Sequence, residues 1–528
     1  MMENLKIQLN RIKQMPMLQI GIGWVFLFCC ALFCVYFTRV VYSPPWLSQM
    51  GGTSILFAIF TLIYFGVILT KKLTKGNSAA FMTGLIFISG VVFCFVNPPN
   101  QVPDESSHFL RSYAMSMGDF DFDENQQWPN DVNLLIEHFP VAYNNGYPAK
   151  EGNTIYNRFT EYFSSVNNGQ VGKPSGIIIF QTIPYLPQAA GIFIARLFQI
   201  GALGAYYCGR LGNLLFYCGC CYFALKSAKR FNIILFSLMI LPLTVFVAAS
   251  NSNDGMLFGL MFCAFATVLS GHFDAKASTV FWGAMAVLCT SKISYIVFFL
   301  LLLAINPKEW ELRIKKWQYL LISIFGFLVL YQGMGLYVTL LSNYGEIPRT
   351  MSDSDPTRQL AFILSNPIRY IVVFLDTLRN NSFFLSSGGL LGWIDVDLKL
   401  VSFFTPLILL VNTFKNAQRI SGEDTRKIMV FLVCSVLTYC VVLSGLYVSW
   451  TPVTLPQIIG VQMRYLMPAF MGILLSLALG FSKYMHHDPT SKRGETGAIY
   501  TSFLFCIGAA VLLFANYYLP TKVIVYVS

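Results

Sequence analysis

Charge is what this chain has least of. Asp, Glu, Lys and Arg make up only 12% of its 528 residues, and there are five His. Soluble domains carry about twice that charged fraction, so a soluble fold is excluded. Internal repeats and low-complexity linkers are also missing, which excludes solenoids and flexible tethers. No cleavable leader is visible: the first apolar run, Leu18 to Val41, is too long and lacks a small-residue cleavage site, so it reads as a retained helix. The 13 Cys lie within or beside apolar runs, and their densest group, Cys218, Cys220 and Cys221, has no His or acid nearby. They read as packing residues, with neither disulfides nor a metal site expected.

What the chain has is apolar length. Hydrophobic residues form 55% of it and the mean hydropathy is +0.59. Runs long enough to cross a bilayer of about 30 Å recur from end to end, so the expected fold is an all-α polytopic membrane protein with about thirteen crossings. The net charge of +11 could point to nucleic acid, but most of the positive residues mark topology. Twenty-one of the 36 Lys and Arg fall in short loops, including Lys71 to Lys75, Lys226 to Arg230, Lys308 to Lys316, Lys415 to Lys427 and Lys483 to Arg493. That distribution is the positive-inside pattern, and it places the N-terminus in the cytoplasm.

Five segments follow. Residues 1–96 hold three helices, and residues 97–206 form a large extracytoplasmic loop with juxtamembrane helices near Tyr185 to Phe198. Residues 207–341 are central crossings, 342–399 a second extracytoplasmic segment, and 400–528 the C-terminal crossings. Loops as long as the first are usually functional or form a small folded subdomain.

That loop opens with Val102-Pro103-Asp104-Glu105-Ser106-Ser107-His108-Phe109-Leu110-Arg111-Ser112-Tyr113. Pro103 suits the first turn of a helix, and acids there complement its dipole. Helical spacing would put Asp104, His108 and Arg111 on one face at i, i+4 and i+7. Taken alone, the stretch reads as a well-capped interfacial helix whose charges face water. The expected topology adds Arg210, Asp254, Lys292, Asp395 and Arg464 to the same side of the membrane. Lys292 sits in a polar break, Thr290-Ser291-Lys292, where a cation is costly unless paired or wet. Together these groups suit transfer of a sugar from a lipid phosphate: a carboxylate takes a proton from the incoming hydroxyl, and cations stabilise the departing phosphate.

Pro103-Asp104-Glu105, Tyr185-Leu186-Pro187-Gln188, Arg210-Leu211-Gly212-Asn213, Ser252-Asn253-Asp254, Leu391-Gly392-Trp393-Ile394-Asp395 and Val461-Gln462-Met463-Arg464-Tyr465 carry a resemblance. This ordered set resembles a bacterial family of polytopic membrane proteins of unknown function (domain of unknown function twenty-one forty-two), which is similar to the GT-C glycosyltransferases. The resemblance implies a GT-C-like bundle in the bacterial inner membrane. It also implies an inverting transfer from a polyprenyl-phosphate sugar, such as an undecaprenyl one, to O-antigen or another surface glycan on the extracytoplasmic side. Asp104 would be the catalytic carboxylate, with Glu105 second. Arg210 and Arg464, with Lys292, would bind the donor phosphate, supported by His108, Arg111, Asn213, Asp254, Trp393, Asp395, Gln462 and Tyr465. No cofactor is required by this reading; a divalent cation is compatible with it.

Plainer roles stand beside these. His108 suits an orienting hydrogen bond better than a metal, Asp254 is a natural helix cap before Gly-Met-Leu, and Asp395 fits simple turn chemistry. A lipid-linked glycan flippase would need a mid-membrane polar site, and a polymerase or ligase would not need the Pro-Asp-Glu element.

Overall fold

The structure, a computed structural model, describes residues 51–120, 127–139, 182–341, 354–380, 389–392, 396–420, 425–485 and 492–518, with Gly21 and Val25. It is mostly helical. Ser78–Val96, Lys399–Ala417, Thr425–Ser449, Met463–Ser482 and Lys492–Tyr518 overlap the apolar runs Ala79 to Val96, Leu400 to Phe414, Ile428 to Val448, Tyr465 to Phe481 and Ala498 to Tyr517, each expected to be a crossing. Large apolar side chains are exposed along two helices: Leu62, Phe65, Leu69 and Leu73 on Gly51–Thr74, and Met429, Leu432, Val433 and Val436 on Thr425–Ser449. A helix that exposes a stripe of large apolar side chains along its length is built to face lipid.

Among the described residues, five helices are long and apolar enough to cross a bilayer, or seven if two bent pairs each count as one span. The bent pairs are Lys229–Met239 with Pro242–Ala248, at 76°, and Pro356–Ser365 with Pro367–Arg379, at 108°. The expected number was about thirteen. The difference falls partly on Leu18 to Val41, nearly all of which lies outside the described residues. It also falls on apolar helices that are short, Asp254–Leu269 with 16 residues and Ile293–Ala304 with 12. Ile293–Ala304 is a 3₁₀ helix, and its steeper rise carries 12 residues about 24 Å, against roughly 18 Å for an α-helix.

The centre is a packed set of helices. Ala202–Ser227 lies against Ser78–Val96, Leu186–Leu197 and Asp254–Leu269, while Thr425–Ser449 packs on Met463–Ser482 and on Ile293–Ala304. Close approach explains two glycines. A Cβ on Gly191 would run into the Cys208 carbonyl, and one on Gly212 into the Pro187 carbonyl, so backbone meets backbone where Leu186–Leu197 crosses Ala202–Ser227. Small residues at such crossings are how helices in lipid, lacking a hydrophobic drive toward one another, gain contact. The ten described cysteines carry no disulfide; eight of them are buried, six in this same interior.

A smaller apolar cluster sits on the expected outer side. Phe109, Tyr113, Trp128, Val132, Leu135 and Tyr206 pack together, joining the Glu105–Ser116 and Asn130–His138 helices to the start of Ala202–Ser227. Asp131 closes it: its Oδ2 accepts from the Ala202 backbone N–H at 2.8 Å, capping the Ala202–Ser227 helix from another element. Within residues 342–399, Leu390–Leu391 pairs antiparallel with Val396–Asp397, and Gly392, just after the first strand, has a φ of 65° that glycine accommodates.

Replacing Gly191 by Val should force Leu186–Leu197 off its partner and lower the melting temperature of the purified protein by several degrees. The same change at Gly219, where an added Cβ meets nothing within 4 Å, should not.

Candidate functional site

The Pro103-Asp104-Glu105 element divides its two acids between two arginines. The helix begins at Glu105, later than Pro103 implied, because Asp104 adopts a left-handed conformation (φ 64°, ψ 9°) and makes no side-chain cap. Asp tolerates that region better than most residues, yet it is uncommon. The turn sends the two carboxylates to different partners.

Glu105 faces inward and is fully buried. Its Oε1 accepts from Arg210 Nε at 2.8 Å and from the Asn251 backbone N–H at 3.0 Å, and its Oε2 accepts from Arg210 Nη2 at 2.9 Å. Arg210 Nη1 donates to the carbonyls of Cys94 and Asn97, both at 2.7 Å, and Nη2 donates to Pro98 O at 3.0 Å. All five N–H donors of this buried guanidinium are therefore engaged, and it lies over the Tyr206 ring at 4.9 Å. A cation against the last carbonyls of Ser78–Val96 also meets the negative end of that helix. Arg210, expected to bind phosphate, has no donor left to offer one. Glu105, expected as a second catalytic acid, has no exposed oxygen.

Asp104 faces the other way, with its side chain 36% exposed. Its Oδ2 accepts from Arg464 Nη2 at 3.0 Å. Arg464, buried at the start of Met463–Ser482, also pairs with Asp254 Oδ2 at 3.3 Å and donates to Tyr465 Oη at 3.1 Å and to Pro103 O at 3.3 Å. Asp254 Oδ1 takes Lys292 Nζ at 2.5 Å, and Lys292 lies 4.8 Å over the Tyr465 ring. The result is a chain, Asp104–Arg464–Asp254–Lys292, with Tyr465 beneath both cations. Among the described residues Arg464 Nε is buried with no acceptor, a donor that a bound oxyanion or a water would satisfy.

Other expected residues fall around this chain. His108 is buried and its Nδ1 is hydrogen-bonded to Tyr185 Oη at 2.7 Å. Arg111 turns away, with Nη2 donating to Phe120 O and Thr182 Oγ1, so the i+7 residue of the expected face ties down the loop. Eleven of the twelve residues of Glu105–Ser116 are buried, which overturns the water-facing interfacial helix. Asn213 Nδ2 donates to Ser250 O at 2.8 Å and Ser252 O at 2.9 Å, holding the turn before Asp254. Gln462 is the extended residue ahead of Met463–Ser482. Trp393 and Asp395 lie outside the described residues. Tyr185, Gln188, Tyr206 and Asn251 were not singled out as site residues. Tyr185 and Gln188 stood in a quoted motif, and Gln188 Nε2 donates to Ser252 O at 3.0 Å. Nothing local marked Tyr206 or Asn251. Among the described residues no three His, Cys, Asp or Glu side chains group to hold a metal ion.

Burial pushes the His108 imidazole down to about 4, with Asp104 pulling it up and Arg464 lowering it. A folded-state value below the unfolded one, about 6.5, means that the unfolded chain binds the extra proton first. Stability linked to His108 is thus full above about pH 6.5 and falls as the pH drops toward 4, by about 3 kcal/mol at most. Thermal unfolding in detergent should show the loss between pH 7 and 5, and His108→Gln should flatten it.

Glu105→Gln leaves Arg210 as an uncompensated buried charge, and destabilisation of about 3 to 5 kcal/mol is expected. The variant should express poorly or melt well below wild type, whereas Asp104→Asn should melt close to it.

No curated protein and no solved structure matches the chain. The family described as "Predicted membrane protein (DUF2142)" does, over residues 87–473, a stretch that runs from within Ser78–Val96 into Met463–Ser482 and includes every charged group of the site. The chain belongs to this family of membrane proteins.

Proposed function

We propose that the protein is an inverting glycosyltransferase that moves a sugar from a polyprenyl-phosphate donor to a surface glycan on the extracytoplasmic side of a bacterial inner membrane. The observation that carries this reading is the half-exposed Asp104 carboxylate, held by one oxygen on Arg464 while the other has no partner among the described residues. That free oxygen accepts the proton of the acceptor hydroxyl as the hydroxyl attacks the anomeric carbon. The bond from that carbon to the phosphate oxygen breaks with inversion, and the polyprenyl phosphate leaves carrying the bond's electrons. The products are a glycoside, the lipid phosphate and a proton on Asp104, which water removes.

Arg464 and Lys292 are the cations placed to receive the leaving phosphate. Lys292 gives one of its three donors to Asp254, and Arg464 keeps a buried unmatched N–H. Asp254 spaces the two cations and limits their mutual repulsion. His108 and Tyr185 form the neutral wall behind Asp104. Arg210, Glu105 and Asn213 shape the site from outside it.

The test is transfer from a panel of polyprenyl-phosphate sugars in membranes from cells lacking the protein, with purified wild type or Asp104→Asn added back. Wild type should transfer one sugar, and the variant should be slower by roughly 10² to 10⁴-fold, the range for loss of a general base. Full activity in a folded variant contradicts the assignment. A lipid-linked glycan crossing the membrane without sugar transfer would make the protein a flippase instead.

A further inference from the structure

The helices that end in the Asp104 cluster have a second polar site at their other ends. Asp254 opens Asp254–Leu269 and Lys292 ends Ala275–Ser291, whereas Leu269 and Ala277, at the far ends of those helices, line a cavity of about 750 Å³. Sixteen helical residues rise about 24 Å, so the cavity lies most of a bilayer away. Such a volume is that of a small-molecule site.

Its wall comes from four separated segments and carries five Lys or Arg against two carboxylates. Both carboxylates are already engaged. Asp274 accepts from the Ala277 N–H at 2.8 Å, capping Ala275–Ser291, and Glu309 accepts from the buried Lys427 Nζ and from the Asn306 N–H. The rim is fixed: Phe273 N–H donates to Glu309 O at 2.7 Å, Glu311 N–H donates to Phe273 O, and the Trp310 ring stacks on Phe273 at 5.1 Å. Lys229, Arg230 and Lys276 also line the cavity, and among the described residues none of them has a carboxylate partner. A diffuse basic face would not need a braced concavity or acids turned to structural bonds.

We propose that this cavity binds a phosphate-bearing anion, held by Lys229, Arg230 and Lys276. A soluble phosphate compound and the headgroup of an anionic lipid share the required chemistry. The basic loops assign this end of the molecule to the cytoplasm, where anionic headgroups attract such side chains. The site is separate from the sugar-transfer reading and stands without it.

Two probes on the full chain distinguish the sources. Native mass spectrometry of the detergent-solubilised protein with phosphatidylglycerol or phosphatidylcholine reads lipid retention, and thermal shift with inorganic pyrophosphate reads the soluble arm. The variants are Lys229→Gln/Lys276→Gln, two exposed positions, and Lys308→Gln, an exposed cation outside the cavity wall. Retention of phosphatidylglycerol over phosphatidylcholine, reduced about fivefold or more by the double variant alone, establishes a lipid site. A pyrophosphate shift lost in the double variant alone establishes a soluble-anion site. Binding of neither probe, binding unchanged in the double variant, or an equal loss with Lys308→Gln overturns the proposal. Equal melting of all three proteins without added ligand shows that each is folded.

Discussion

Burying a guanidinium in an apolar bundle is costly for each N–H left without an acceptor, and Arg210 leaves none. Its donors reach two oxygens of Glu105 and three carbonyls at the end of Ser78–Val96. One side chain thereby joins the end of one helix to the start of the next, and through Glu105 it also fixes Asn251 in the turn before Asp254. The Asp104 cluster is built on this latch. Asp104 follows from where Glu105 is held, and Asp254 from where Asn251 and Asn213 hold its turn.

Two adjacent acids thus do different work because the backbone between them turns. Glu105 is sealed against one arginine, with no oxygen left for chemistry. Asp104 keeps one oxygen on Arg464 and exposes the rest. A buried pair such as Glu105–Arg210 adds little net stability over an apolar substitute, but losing one partner is severe, so the element resists piecemeal change. The Asp104–Arg464–Asp254–Lys292 chain is looser, with two of its members partly exposed. On the proposed reading, that difference separates a part that holds shape from a part that exchanges a protein contact for a ligand.

Five of the expected spans and the break at Lys292 were legible because they rest on local signals: apolar runs, basic loops, and a polar triplet inside an apolar stretch. Counting the expected spans put Asp104, His108, Asp254, Lys292 and Arg464 on one side, and the structure brings Asp104, Arg464, Asp254 and Lys292 into one chain of ion pairs. Which acid meets which cation did not follow. Glu105 finds Arg210 and Asp254 finds Arg464 across more than a hundred positions, and only packing decides such pairs. Nor did the sequence mark the left-handed turn at Asp104, since Pro103 before two acids equally fits an ordinary helix start. Arg111 misled for the same reason: helical spacing sets the side of the helix, while its hydrogen-bond partners lie on other segments.

The central claim is that the cations beside Asp104 are there to hold a lipid phosphate. Binding of a sugar-free polyprenyl monophosphate to the purified protein, wild type against Arg464→Gln, measures this without depending on the sugar or the acceptor. Saturable binding by wild type, weakened tenfold or more in a variant that still folds, is the predicted result. No binding by wild type, or equal affinity in both proteins, would contradict the account.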